Sequence, residues 1–101
     1  MLIFFSVAPM DRAEGMSELV AQSLDLIDKS GLPYQLGPMG TTVEGEWDEV
    51  MELIKRCHLQ MREHAARVST SIKIDDRAGA TGRLQGKVAA VEQRLGRKLR
   101  T

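Results

Sequence analysis

Leu2-Ile3-Phe4-Phe5-Ser6-Val7 is a run of β-branched and aromatic residues that is apolar on both alternating faces as far as Ser6. Such a strand belongs in the middle of a sheet, where both faces are covered, rather than at an edge. Pro9 stops it, because proline has no N–H to give to a ladder. The run is far shorter than the roughly 20 apolar residues that a membrane span requires. No positively charged region precedes it, so a signal peptide is not expected either.

Outward from this strand the pattern changes period. Met16, Leu19, Val20, Leu24 and Ile27 recur at helical spacing, with Ser17 as the expected cap and Gly31 as the stop. Tyr34 to Met39 and Thr41 to Glu44 are short extended segments around Gly40, bounded by Pro33 and Gly45, and they read as a hairpin. A second helical stripe follows in Trp47, Val50, Met51, Ile54, Cys57, His58 and Met61. It opens with Glu46, Asp48 and Glu49, which suit the positive end of a helix dipole. Val68 to Ile74 alternates strictly, with Val68, Thr70, Ile72 and Ile74 on one side and Ser69, Ser71 and Lys73 on the other. Leu84, Val88, Val91, Leu95 and Leu99 mark a last helix, weakened in its first turn by Gly86.

The order is βαββαβ plus one helix: an α+β ferredoxin-like sandwich with a four-stranded antiparallel sheet and an added C-terminal helix, in a single domain over residues 1–101. In that topology the first strand lies between the strand at Thr42 and the strand at Ser71. Helices are expected on one sheet face only. Parity sends Ile3, Phe5, Val7, Val43, Ile72 and Ile74 toward them. It leaves Phe4, Ser6, Thr42, Glu44, Ser69, Ser71 and Lys73 on the open face.

Composition narrows the function classes. Lys plus Arg and Asp plus Glu each number 14 in the 101 residues, so no net field draws the chain to nucleic acid or to an anionic membrane. Aromatics at 4% are too sparse for a base-stacking sheet. The lone Cys57 allows neither an internal disulfide nor a multi-cysteine metal site and points to a reducing, cytoplasmic setting. His58 and His64 do not share a helix face, and no HExxH pattern is present. Asp75 and Asp76 read as solvated loop carboxylates, and no metal is expected. Gly79, Gly82 and Gly86 do not make a phosphate loop, because Thr81 and Val88 stand where that motif needs glycine and a hydroxyl. No nucleophile sits beside a base, so catalytic residues are not expected.

What remains is the open face. Hydroxyls from Ser6, Thr42 and Ser71, flanked by Glu44 and Lys73, offer donors, acceptors and both charge signs to a heteroaromatic ligand. On spacing alone a solvated face or a wet subunit interface explains the same row. Phe4 among these polar groups calls for cover by a ligand or a partner. Met39 and Trp47 border the hairpin and can wall a pocket, although the position of Trp47 on the helical stripe also suits the core.

The stretch from Gly31 to Val50, GLPYQLGPMGTTVEGEWDEV, resembles the small thiamine-binding proteins of the YkoF-like superfamily, as do Arg67 to Arg77 and Gly86-Lys87-Val88. The resemblance implies a ferredoxin-like subunit that pairs through its sheets into homodimers or homotetramers. It also implies binding of thiamine or its hydroxymethylpyrimidine moiety, with no reaction and no further cofactor. Carried onto this chain, it implies that Ser6, Thr42 and Ser71 meet the pyrimidine, that Gly40 and Thr41 shape the loop beside it, and that Glu44 faces the cationic thiazolium. Pro9 to Glu14 departs from the shorter, glycine-containing turn of such proteins. The alternative is an ACT-like structural or regulatory subunit that binds another small metabolite or none.

Overall fold

A computed structural model describes residues 1–11 and 14–101; Arg12 and Ala13, which belong to the Pro9 to Glu14 departure from the family sequence, lie outside the described residues. The order is β1 (Leu2–Pro9), α1 (Met16–Lys29), β2 (Tyr34–Leu36), β3 (Thr41–Glu44), α2 (Trp47–Arg62), β4 (Val68–Asp75) and α3 (Arg83–Leu95). The strands form one antiparallel sheet in the order β2-β3-β1-β4, so β1 is central, as its doubly apolar sequence requires. No helix among the described residues is long and apolar enough to cross a membrane.

The register follows parity. Ile3 pairs with Val43 and Ile74, and Phe4 with Thr42 and Lys73, so each trio shares a face. Ile3, Phe5 and Val43 are buried against Ile27 of α1 and Val50, Leu53, Ile54 and Cys57 of α2. Each such side chain contributes about 1.5–3 kcal/mol when taken out of water. Ser23, buried in the stripe of α1, donates to Gln60 Oε1 at 3.1 Å and ties α1 to α2. The Tyr34 hydroxyl donates to Asp28 at 2.8 Å and ties β2 to the end of α1.

β1 is longer than β3. Their pairing ends at Phe5 with Thr41, whereas β1 pairs with β4 as far as Pro9 with Val68. Beyond Thr41 the chain turns back, closed by Gly37 N donating to Gly40 O at 2.9 Å. Gly40 is required there by space, since a Cβ would lie 2.8 Å from the Phe5 carbonyl oxygen and 2.6 Å from the Phe4 ring.

Several sequence expectations are corrected. α1 is preceded by Gly15 without a side-chain cap, so Ser17 lies inside the helix. Trp47 is 53% exposed, because at the first helical position it sits before the stripe reaches the sheet; Leu53, outside the expected stripe, is buried instead. Ile72 and Ile74 share the helix-side face but remain 41% and 39% exposed, because β4 is an edge strand beyond full helix cover. α3 ends at Leu95, where Gly96 takes the left-handed conformation at φ 71°, so Leu99 lies past it. Helices are not confined to one face: α3 meets the sheet from the open side through Glu44 and Asp75.

Gly40→Ala should lower stability by about 1–3 kcal/mol, the usual cost of overpacking a tight contact. Urea unfolding with an unchanged slope would check it.

Candidate functional site

The residues expected to bind a ligand divide between two of the concavities that border the sheet. The first is a cleft of about 250 Å³ on the helix side, between α1, the far half of β1 and the hairpin turn. Ser6, Met39, Gly40 and Thr41 line it, as do Met16, Val20 and Leu24 of α1 and Leu36 of β2. The second is a depression of about 410 Å³ on the open face, lined by Leu2, Phe4, Thr42, Lys73, Asp75 and Lys87 among others. Ser71 is exposed and pairs with Ser6 in the strand register without lining either concavity, and Trp47 lines neither.

Glu44 has partners within the chain. Its oxygens accept from the backbone N–H of Arg83 at 2.9 Å and of Leu84 at 3.1 Å, at the start of α3. These bonds, led by that from Arg83, hold its carboxyl below the usual glutamate range. A carboxylate satisfying orphan amides at a helix N-terminus also meets the favourable end of the dipole. Asp75, on the same face, is hydrogen-bonded to Lys87, and that bond likewise holds its carboxyl below the usual aspartate range. The family resemblance implies that Glu44 faces a cationic ring; in the structure its carboxylate also anchors α3.

The cleft is chemically less satisfied. Thr41 is 4% exposed and lines it, and among the described residues its hydroxyl has no hydrogen-bond partner. Backbone groups of β1 add to this. Met1 O accepts from Gly45 N on the β3 side, and Met10 N donates to Arg67 O on the β4 side. Backbone direction alternates along a strand, so odd-numbered β1 residues turn their N–H and C=O toward β3 and even-numbered ones toward β4. The ladder position opposite Val7 is Met39, which lies in the turn rather than in β3, so the N–H and C=O of Val7 face the cleft without a strand partner. Pro9 fits at the next such position because it has no N–H to leave unpaired.

Sequence reasoning missed the α1 wall and the backbone of Val7. Met16 and Val20 were legible as helix positions, and their 39% exposure shows that the stripe is wider than the core beneath it. No side-chain pattern announces a backbone edge.

Burial raises the Cys57 thiol to about 11, and His58 Nδ1 lies 2.6 Å from Thr70 Oγ1. No cluster of His, Cys, Asp and Glu suited to a metal occurs among the described residues.

By fold the chain is a ferredoxin-like α+β protein with a ligand-sized cleft at the end of its hairpin. It belongs to the thiamine-binding protein family, whose model matches residues 3–92. A UPF0045 protein of Mycobacterium bovis is 41% identical over 95 residues, 93% of each chain. Among solved structures, a hypothetical protein from Methanocaldococcus jannaschii superposes with a TM-score of 0.83 at 26% identity, covering 91% of this chain and 95% of that one. A Thermotoga maritima protein assigned provisionally to thiamine biosynthesis or salvage gives a TM-score of 0.78 at 28% identity, covering 89% and 96%. Family membership supports a role in binding a small molecule.

Glu44→Gln should loosen α3 while leaving the sheet folded, at a cost on the order of 1 kcal/mol. Because the folded carboxyl is more acidic than the unfolded one, its contribution is present above the usual glutamate range and is lost as pH falls through the lowered value. The protection factors of the Arg83 and Leu84 amides, exchange rates corrected for the intrinsic pH dependence, should therefore fall in acid in the native protein, and should be low and nearly free of that acid-linked loss in the variant.

Proposed function

We propose that the protein binds thiamine, or the hydroxymethylpyrimidine moiety of thiamine, without transforming it. The family match across residues 3–92 carries this reading. The kinship with the Thermotoga maritima protein supports it. The non-catalytic part is supported by groups that are otherwise engaged: Cys57 is a thiol rather than a thiolate at neutral pH, and Glu44 and Asp75 hold α3. A free, buried cysteine suits the cytoplasm.

Self-association into dimers or tetramers belongs to the same proposal. Phe4 is 39% exposed on the open face beside half-buried Leu2, and cover by a second copy would gain about 25 cal/mol per Å² of apolar area. A ligand held on that face between subunits would draw on Ser6, Thr42, Ser71 and Lys73. The pairing of Glu44 and Asp75 leaves less free chemistry there than the cleft holds.

Calorimetry should show saturable binding of thiamine and of free hydroxymethylpyrimidine, with one site per chain. Absence of heat with both at millimolar ligand would overturn the reading. Native mass spectrometry of the purified protein should show an oligomer that Phe4→Asp disperses, and a monomer at micromolar concentration would overturn the assembly.

A further inference from the structure

The helix-side cleft has the form of a site for one flat ring. Its volume of about 250 Å³ falls below the roughly 300–1,000 Å³ of pockets that enclose drug-sized ligands, so it suits a single substituted ring and not a linked pair. Its walls are apolar side chains, Val20 and Leu24 from α1 and Leu36 from β2, with Met39, 81% exposed, at the turn. A methionine thioether at such a place is free to settle on an aromatic face. The polar features are few and unspent: the Thr41 hydroxyl and the backbone N–H and C=O of Val7.

We propose that this cleft is the ligand site and that it reads the ring through the main chain of β1, with Val7 N–H donating to a ring nitrogen and Val7 C=O accepting from the adjacent exocyclic amine. The inference rests on the thiamine-binding reading and specifies where and how the ring is held. An aminopyrimidine carries an acceptor nitrogen beside an amino donor. An antiparallel strand would present the same pair to Val7 if β3 continued past Thr41. The ligand thus completes the ladder that β3 abandons, in the manner of strand addition at a free sheet edge. Thr41, one register step inward, offers its hydroxyl to a further polar atom of the ring or its substituent. The cationic half of a thiamine stays outside the cleft, in water, which removes the need for Glu44 as its partner.

Main-chain recognition has a consequence that side-chain recognition lacks. Replacing the exocyclic amine by an oxo group exchanges a donor for an acceptor and sets two carbonyl oxygens against each other, which a site built for a hydrogen bond rejects strongly. The apolar contacts are untouched by that change.

The test is amide NMR of the isotope-labelled protein titrated with thiamine and, separately, with its oxo analogue, oxythiamine. Expected are the largest thiamine-induced shifts at Val7 and Thr41, with smaller ones along α1, and an affinity for oxythiamine lower by at least about tenfold. Thr41→Val, close in shape and lacking the hydroxyl, should weaken thiamine binding with the rest of the amide spectrum unchanged, and Thr41→Ser should restore it. Thiamine binding with shifts centred on Thr42 and Lys73, or equal affinity for both compounds, would overturn this inference and leave the proposed function standing. No shift with thiamine at any residue would overturn both.

Discussion

The pairing of β1 between strands of unequal length governs this molecule. β4 accompanies β1 to Pro9, whereas β3 leaves it after Thr41. Strand hydrogen bonds alternate in direction, so a missing neighbour exposes every second residue and no other. The core, the turn and the cleft all follow from that mismatch. Ile3 and Phe5 lie where three strands overlap and are buried, while Val7 lies where only two do and is half-buried beside the cleft. Gly40 makes the early departure of β3 possible, since any Cβ would strike the Phe5 carbonyl.

The second constraint is electrostatic. α3 buries no residue, so apolar packing alone fixes it weakly. What holds its first turn is Glu44, whose carboxylate answers two backbone amides that no helix can satisfy internally, with Lys87 paired to Asp75 one turn on. Both carboxylates come from the open face of the sheet. That face therefore carries structural work at one end and exposes Phe4 nearby. The open face and the helix-side cleft thus have separate chemistry although the same strands supply both.

Much of this was legible in the residues. The doubly apolar run at Leu2 could only be central, and strict alternation from Val68 could only be half-covered, so strand order and facing are written in the residues themselves. Trp47 shows where the pattern misleads: it lies on the helical stripe but one turn before the sheet begins, and stripe membership says nothing about how far a neighbour extends. Ile72 and Ile74 make the same point across the sheet. Their parity is correct, yet an edge strand lies beyond the reach of the helices.

Local periodicity and turn chemistry determined the α+β order, the antiparallel register and the buried set around Ile3, Phe5 and Val43, because side-chain direction repeats every two or 3.6 residues whatever the environment. Family motifs indicated membership of the thiamine-binding protein family. Only the tertiary structure decided that α3 takes the charge of Glu44 and that the cleft opens against Val7, since both depend on where separate segments end relative to one another. The polar groups of Val7 belong to the backbone, which every residue shares, so no side-chain sequence could single them out.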